Sequence, residues 1–196
     1  MSLAVDATGF AVRSSKLVWL SSGYAFKARR CFVKAHLAVE TTWLSVQSYV
    51  LTESRVHEAT QLGTLLEPLH GIGDVYADAG YLSLENAWLV TTKGGTPYLR
   101  PKATTTGSPW KGGSARRVNP RPYRDMVEAY RLNPAAWLAR YHRRSKIEGV
   151  NGAIKRRLGA TLWSVSDLFR RLELALKIVV WNLIRLVYKK AAEALG

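Results

Sequence analysis

The chain holds a single cysteine, Cys31, among 196 residues. It can build neither a disulfide framework nor a cysteine-based zinc site, and it fits a reducing, cytoplasmic setting. His36, His57 and His70 are scattered and offer no histidine zinc site. The opening residues MSLAVDATGF lack a basic region followed by an apolar run, so no secretory signal is expected. Long apolar runs are also missing. The nearest candidate, Leu172 to Tyr188, contains Glu173, Lys177, Asn182 and Arg185, with Lys189 following. Positions 173, 177, 185 and 189 differ by multiples of four and form one polar stripe. That pattern predicts an amphipathic helix and no membrane span. There is no internal repeat.

Acid is scarce as well: 14 Asp and Glu stand against 29 Lys and Arg, for a net charge of +15. Such an excess selects a polyanionic partner, nucleic acid or an anionic membrane surface. An apolar fraction of 47% is enough for a core, and the length suits one domain spanning 1–196. The charge is unevenly spread. From Ala139 to Arg157 there are seven basic residues and one acid, Glu148. A lone carboxylate inside a run that attracts negative charge calls for a reason. From Thr41 to Thr92 the balance reverses, with six acids against Arg55.

The periodicities predict an α/β fold. LAVDATGF, CFVKAHLAVE and the stretch from Trp43 to Thr52 read as strands, the last two as an antiparallel pair. Residues 11 to 30 read as a hairpin excursion or loop. Leucines at 62, 65, 66 and 69 predict a helix over 57–69. DVYAD is a brief strand, 82–92 a second helix and 96–101 a fifth strand. Residues 102–122 form a basic loop by composition, and 122–132 looks helical. A long helix over 134–158 opens on Pro134 and ends at Gly159. The last helix, 164–195, opens on a Ser164-to-Asp167 capping pattern. The order implies a mixed five-stranded sheet, an antiparallel meander extended by parallel strands and flanked by helices.

Two acids fall where strands end, Asp6 and Asp78. First and fourth strands lying side by side would bring them together, and Glu148 would close the site from its helix. Asp74 competes with Asp78 but begins its strand rather than ending it. An aspartate at a strand end also serves as an ordinary turn residue. Three converging carboxylates repel one another unless a cation joins them, and hard oxygen ligands in an open site suit two magnesium or manganese ions. Tyr141, Arg144, Glu148 and Lys155 lie at offsets 0, 3, 7 and 14, on one face of a helix, with Asn151 beside it. Arg144 can grip a phosphate with two nitrogens and Lys155 can act as a point charge on another. The plainer reading of this face is a solvated basic helix with one ion pair.

These residues resemble a known family. Y-x2-R-x3-E-x6-K, filled by Tyr141, Arg144, Glu148 and Lys155, is similar to the Y-R-E-K signature of insertion-sequence DDE transposases. DATGF resembles the first-Asp strand, Val56-His57-Glu58 the segment after the third strand, and YADAGY the second-Asp strand. RRSKIEGVNGAIKRRLG resembles the third-acid helix. The similarity runs over roughly residues 3 to 190. It implies a ribonuclease-H-like fold in which Asp6, Asp78 and Glu148 are both catalytic residues and metal ligands. The implied reaction is metal-dependent cleavage at transposon ends and strand transfer to target DNA, without a covalent protein intermediate. Tyr141 would then position phosphate. Arg143, Lys146, Arg156, Arg157 and Lys102, with Arg116, Arg117 and Arg140, are expected to contact DNA phosphates, and Lys34 is a further candidate. Trp110 is a candidate for base stacking, the plainer reading being a surface or packing role. Asp6 lies five residues from Met1, where family members normally carry an N-terminal DNA-binding region, so the chain is expected to be truncated. The competing reading is an inactive remnant that only binds DNA. Trp181, Leu183, Ile184 and Val187 on the last helix suit the sheet or a second subunit in a homodimer.

Overall fold

The computed structural model describes residues 1–13, 18–21, 26–29, 32–102 and 121–195, the second and third of these by backbone alone. Cys31, Trp110, Arg116, Arg117 and most of the 102–122 loop fall outside the described residues.

The first strand is apolar on both faces and becomes the centre of the sheet. In β1 (Leu3–Val12), Leu3 and Val5 enter one core, while Ala4, Phe10 and Val12 enter the other. A short ribbon of β2 (Val18–Ser21) and β3 (Phe26–Arg29) follows, within the stretch read as a hairpin excursion. β4 (Phe32–Glu40) then pairs antiparallel with β1, from Leu3↔Glu40 to Ala11↔Phe32, and β5 (Val46–Glu53) pairs antiparallel with β4. β6 (Asp74–Ala77) lies on the other side of β1, parallel, from Leu3↔Val75 to Val5↔Ala77, and β7 (Thr96–Leu99) continues parallel beyond it. The path is β5-β4-β1-β6-β7, a mixed sheet in the expected ribonuclease-H-like arrangement. A sixth strand, β8 (Thr161–Leu162), pairs with the far end of β1. Two residues carry no readable period, so it was not anticipated.

One face of the sheet is covered by α1 (Leu62–Leu66), α2 (Leu84–Thr92) and α3 (Arg121–Leu132), through Leu62, Leu65, Leu66, Ala87, Val90, Met126 and Val127. The leucine period over 57–69 resolves into a 3-10 turn, Glu58–Gln61, and the short α1. The opposite face takes α5 (Ser145–Leu158) and α6 (Asp167–Leu195), through Ile147, Val150, Ile154, Leu174, Ile178 and Trp181.

The helix expected over 134–158 is not continuous. α4 (Pro134–Tyr141), capped by Asn133, gives way to a 3-10 turn at His142–Arg144 before α5 begins. Because 3-10 geometry brings i and i+3 into line, Tyr141 and Arg144 remain on one side. α6 starts at Asp167, with Ser166 accepting from the Phe169 N–H. Ser164 is instead held by Glu173, which accepts from the backbone N–H groups of Trp163 and Ser164 and from the Ser164 hydroxyl.

The edge strand β5 is met by side chains of α6. Asn182 donates to the Val46 carbonyl and accepts from the Val46 N–H, both at 2.8 Å. Trp181 and Arg185 donate to the Leu44 and Trp43 carbonyls, and Arg171 donates to that of Leu51. No described helix is long and apolar enough to cross a membrane.

Candidate active site

Asp6 sits in the middle of β1, and Asp78 follows Ala77, the last residue of β6. The parallel register runs through Val5↔Ala77, so Asp6 and Asp78 are the next neighbours, at the point where β6 stops and β1 continues. Asp78 is held in a tight turn. Its Oδ1 accepts from the Gly80 N–H at 2.8 Å and its carbonyl from the Tyr81 N–H. Asp74, at the start of β6, accepts from the Tyr76 hydroxyl at 2.7 Å.

Asp6 is enclosed enough that its carboxyl is pushed up to about 6. Burial is the main cause, and the charges of Asp78 and Glu58 add to it. The Ala7 N–H and the Arg144 guanidinium pull the other way without overcoming it.

Arg144 links the two ends of the acid set. Its Nη1 lies 3.8 Å from Asp6 Oδ1, and its Nη2 donates to Glu148 Oε1. Asp6 and Glu148 therefore lie within the span of one guanidinium. The Glu148 side chain remains 56% exposed, whereas those of Asp6 and Arg144 are each 19% exposed. Asn151, one turn beyond Glu148 on α5, is buried and donates from Nδ2 to Asp6 Oδ2 at 3.2 Å. Its Oδ1 has no partner among the described residues. Lys155, a further turn on, lies over the Phe10 ring at 5.4 Å within the field of Asp6.

Tyr141 is buried in an aromatic stack. Its ring lies flat on Trp137 at 5.2 Å, and Trp137 meets Tyr98 and Tyr130. Burial raises its hydroxyl, which also shares the fields of Arg144, Arg100 and Asp78. Of the other basic candidates, Arg143 interacts with Tyr76 and Arg140 donates to the Tyr98 hydroxyl. Lys146 is tied to the Thr41 carbonyl at 2.6 Å, at the β4–β5 turn. Arg156 folds back over Gly152, Arg157 is exposed on the last turn of α5, and Lys102 lies exposed just after β7.

Sequence reasoning overlooked a fourth acid. Glu58, in the 3-10 turn after β5, approaches the site from the opposite side of the sheet. A Cβ on Gly80 would meet both Glu58 Oε2 and Asp78 Oδ1 at under 3.0 Å, so the two carboxylates flank one point. Glu58 is paired with Lys34 Nζ at 2.9 Å. Beneath it lie Tyr81, whose hydroxyl is raised by burial and by Glu58, Asp6 and Asp78, and the buried His36. His36 Nδ1 faces the Tyr81 hydroxyl at 3.3 Å, and its Nε2 faces Thr52 Oγ1 at 2.9 Å. Glu58 stood next to His57 in a quoted motif, but no spacing tied it to Asp78; only the fold does.

Among the described residues no three carboxylate or imidazole groups stand close enough, as they are, to hold an ion between them. The donor set nonetheless suits a hard divalent cation. It offers carboxylate oxygens, an Asp6 raised by burial and by neighbouring negative charge, and an orphaned amide oxygen on the residue that holds Asp6. Lys34 and Arg144 hold Glu58 and Glu148 in ion pairs in this state. A sizeable cavity lies elsewhere. It measures about 530 Å³, lies between α2, α3 and β7, and is lined by Trp88, Pro97, Met126 and Trp137. It is apolar and bears none of the acids above, so it does not compete as the site of phosphate chemistry.

No curated protein and no solved structure matches this chain. A family model described as Transposase DDE domain matches residues 2–183, which takes in Asp6, Asp78, Arg144 and Glu148 together. With the match covering most of the chain, and strands that bring its first two acids side by side, the protein belongs to the transposase DDE domain family.

Proposed function

We propose that residues 1–196 act as one catalytic unit that cuts DNA at transposon ends and joins them to target DNA, using two magnesium or manganese ions held by Asp6, Asp78 and Glu148. The observation that carries this reading is the convergence of acids. Asp6 and Asp78 are neighbours across two parallel strands, and Arg144 ties Asp6 to Glu148. When bound, two such ions would activate the attacking oxygen and stabilise the leaving one in a phosphoryl transfer.

The chain's own residues have separable tasks. Asn151 orients Asp6 by donating to one of its oxygens. Arg144 keeps Glu148 near the site while leaving it able to turn inward. The aromatic stack under Tyr141 packs the end of α4 where the 3-10 turn begins, so the phenol and Arg144 present one edge to a phosphate. Arg143, Arg156, Arg157, Lys102, Lys155 and Lys146 supply the positive field, which positions DNA without reading its sequence.

The test is nicking and strand transfer on DNA carrying the element's ends, with magnesium or manganese. Asp78→Asn and Glu148→Gln should each lower the rate by roughly 100-fold or more, as removal of a group acting on developing charge does, with circular dichroism unchanged. Metal-independent cutting, or activity retained in both variants, overturns the reading. Salt-sensitive DNA binding without any cleavage would favour an inactive remnant.

We also infer that the protein acts as a homodimer through α6. Phe169, Leu172, Leu176, Val179, Leu183 and Leu186 follow the alternating three–four spacing of a helix-pairing seam, and all are about half exposed or more. With Val180 and Val187 they expose on the order of 800 Å², the share of one partner in a standard-size interface. A second copy presents the same seam.

A further inference from the structure

The three acids of the family pattern leave Glu58 unexplained. It is not needed as an ordinary surface ion pair. It sits in the eight-residue connection between β5 and α1, its side chain is 25% exposed, and it aims at the turn that holds Asp78. The approach is close: a Cβ on residue 80 would meet the carboxylates of both Glu58 and Asp78 at under 3.0 Å, so each would have to swing aside to admit one. Glu58 also acts on Asp6 and on Tyr81, so its charge is felt across the floor of the site.

A cluster of acids alone would not establish a cation site. The independent observation is Asn151. Only 7% of it is exposed; its Nδ2 is bonded to Asp6, and its Oδ1 is left with no partner among the described residues. A buried amide oxygen without a donor is costly. A water on a cation beside Asp6 would supply that donor.

We propose that Glu58 is a fourth metal-facing carboxylate, holding the ion shared with Asp6 and Asp78 either directly or through a bound water, and that Lys34 is its counter-charge when no ion is present. The proposal rests on the reading that Asp6 and Asp78 bind metal. Lys34 Nζ is fixed by the Val56 carbonyl at 3.2 Å as well as by Glu58, so it is a built-in competitor rather than a mobile surface charge. An incoming divalent ion has to draw Glu58 away from it. Two consequences are opposite in sign: loss of the Glu58 charge weakens the ion's hold, and loss of the Lys34 charge strengthens it. A Lys34–Glu58 pair that never reaches the ion would give only the small, salt-screened shifts of a distant charge, well short of the loss of a ligand.

The experiment is manganese titration of the whole chain, by calorimetry and by the electron paramagnetic resonance signal of the free ion. Wild type, Glu58→Gln, Lys34→Met and Asp78→Asn are compared. Glu58→Gln is expected to weaken manganese binding about 10-fold or more, and Lys34→Met to tighten it. Unchanged affinity in a folded Glu58→Gln overturns the proposal, even if its melting temperature falls. If Glu58→Gln does not fold, Lys34→Met decides: affinity equal to or weaker than wild type overturns it. Asp78→Asn separates the two layers of the argument. If it loses the ion while Glu58→Gln keeps it, only the role of Glu58 falls. If wild type itself binds no manganese, the metal-dependent function falls with it.

Discussion

At the residue scale, the buried groups beneath the site govern its response to acid. His36 is fully enclosed, and its imidazole is lowered to about 4 by burial and by the Lys34 charge. In the unfolded chain it titrates near its ordinary 6.5. Between those values the unfolded state binds the extra proton, so stability is full above 6.5 and is lost as pH falls toward about 4. A shift of this size corresponds to about 3 kcal/mol. Denaturant melts at pH 7 and pH 5 should therefore show a marked loss in wild type and a much smaller one in His36→Gln. Equal losses would mean that other groups carry the acid sensitivity. The same neighbourhood marks where sequence reading stops. Asp6, Asp78 and Glu148 are separated by about 70 residues each, yet expected strand ends and the spacing from Tyr141 to Lys155 made them legible as candidates, although Asp6 lies in mid-strand because β1 runs on to Val12 beside β4. Glu58, Tyr81 and His36 were not. Their relation to Asp78 depends on how the Asp78 turn folds under the 3-10 segment, and no local pattern encodes that.

At the element scale, the strands and helices followed the apolar periods closely, because β1, β4 and α5 each carry the same residue types along a buried face. What escaped was decided by tertiary partners. The 3-10 turn at His142–Arg144 interrupts a run whose helical pattern is unbroken, in a segment where Tyr141 stacks on Trp137 and Arg144 reaches Asp6. β8 exists because Gly159, at φ 87°, ends α5 and turns the chain back to β1. Glu173 secures that return. Burial acts to raise its carboxyl, but hydrogen bonds from Ser164 and Trp163 and the charge of Lys177 outweigh this, leaving it below the usual carboxylate range. Stability from this group is present above the ordinary pKa and is lost as pH falls through the lower folded value. Glu173→Gln should lower stability at pH 7 by roughly 1–2 kcal/mol, and the deficit should shrink in acid, as read from urea melts at pH 7 and pH 3.5. A constant deficit would assign Glu173 a packing role only.

At the scale of the whole molecule, two surfaces dominate: the basic surroundings of the acid set and the apolar seam along α6. If the seam joins two copies, Leu176→Glu with Leu183→Glu should yield a monomer in light scattering with the fold intact, since both side chains are more than half exposed. A wild type that is already monomeric at micromolar concentration would remove that idea. The far side of α6 has a different consequence. By accepting from the Val46 N–H and donating to the Val46 carbonyl, Asn182 imitates the backbone of a neighbouring strand. It occupies hydrogen-bonding positions at which a foreign strand could otherwise begin to add to β5. One amide side chain thus acts as a terminator for the sheet, and it guards the protein against sticking to itself strand by strand.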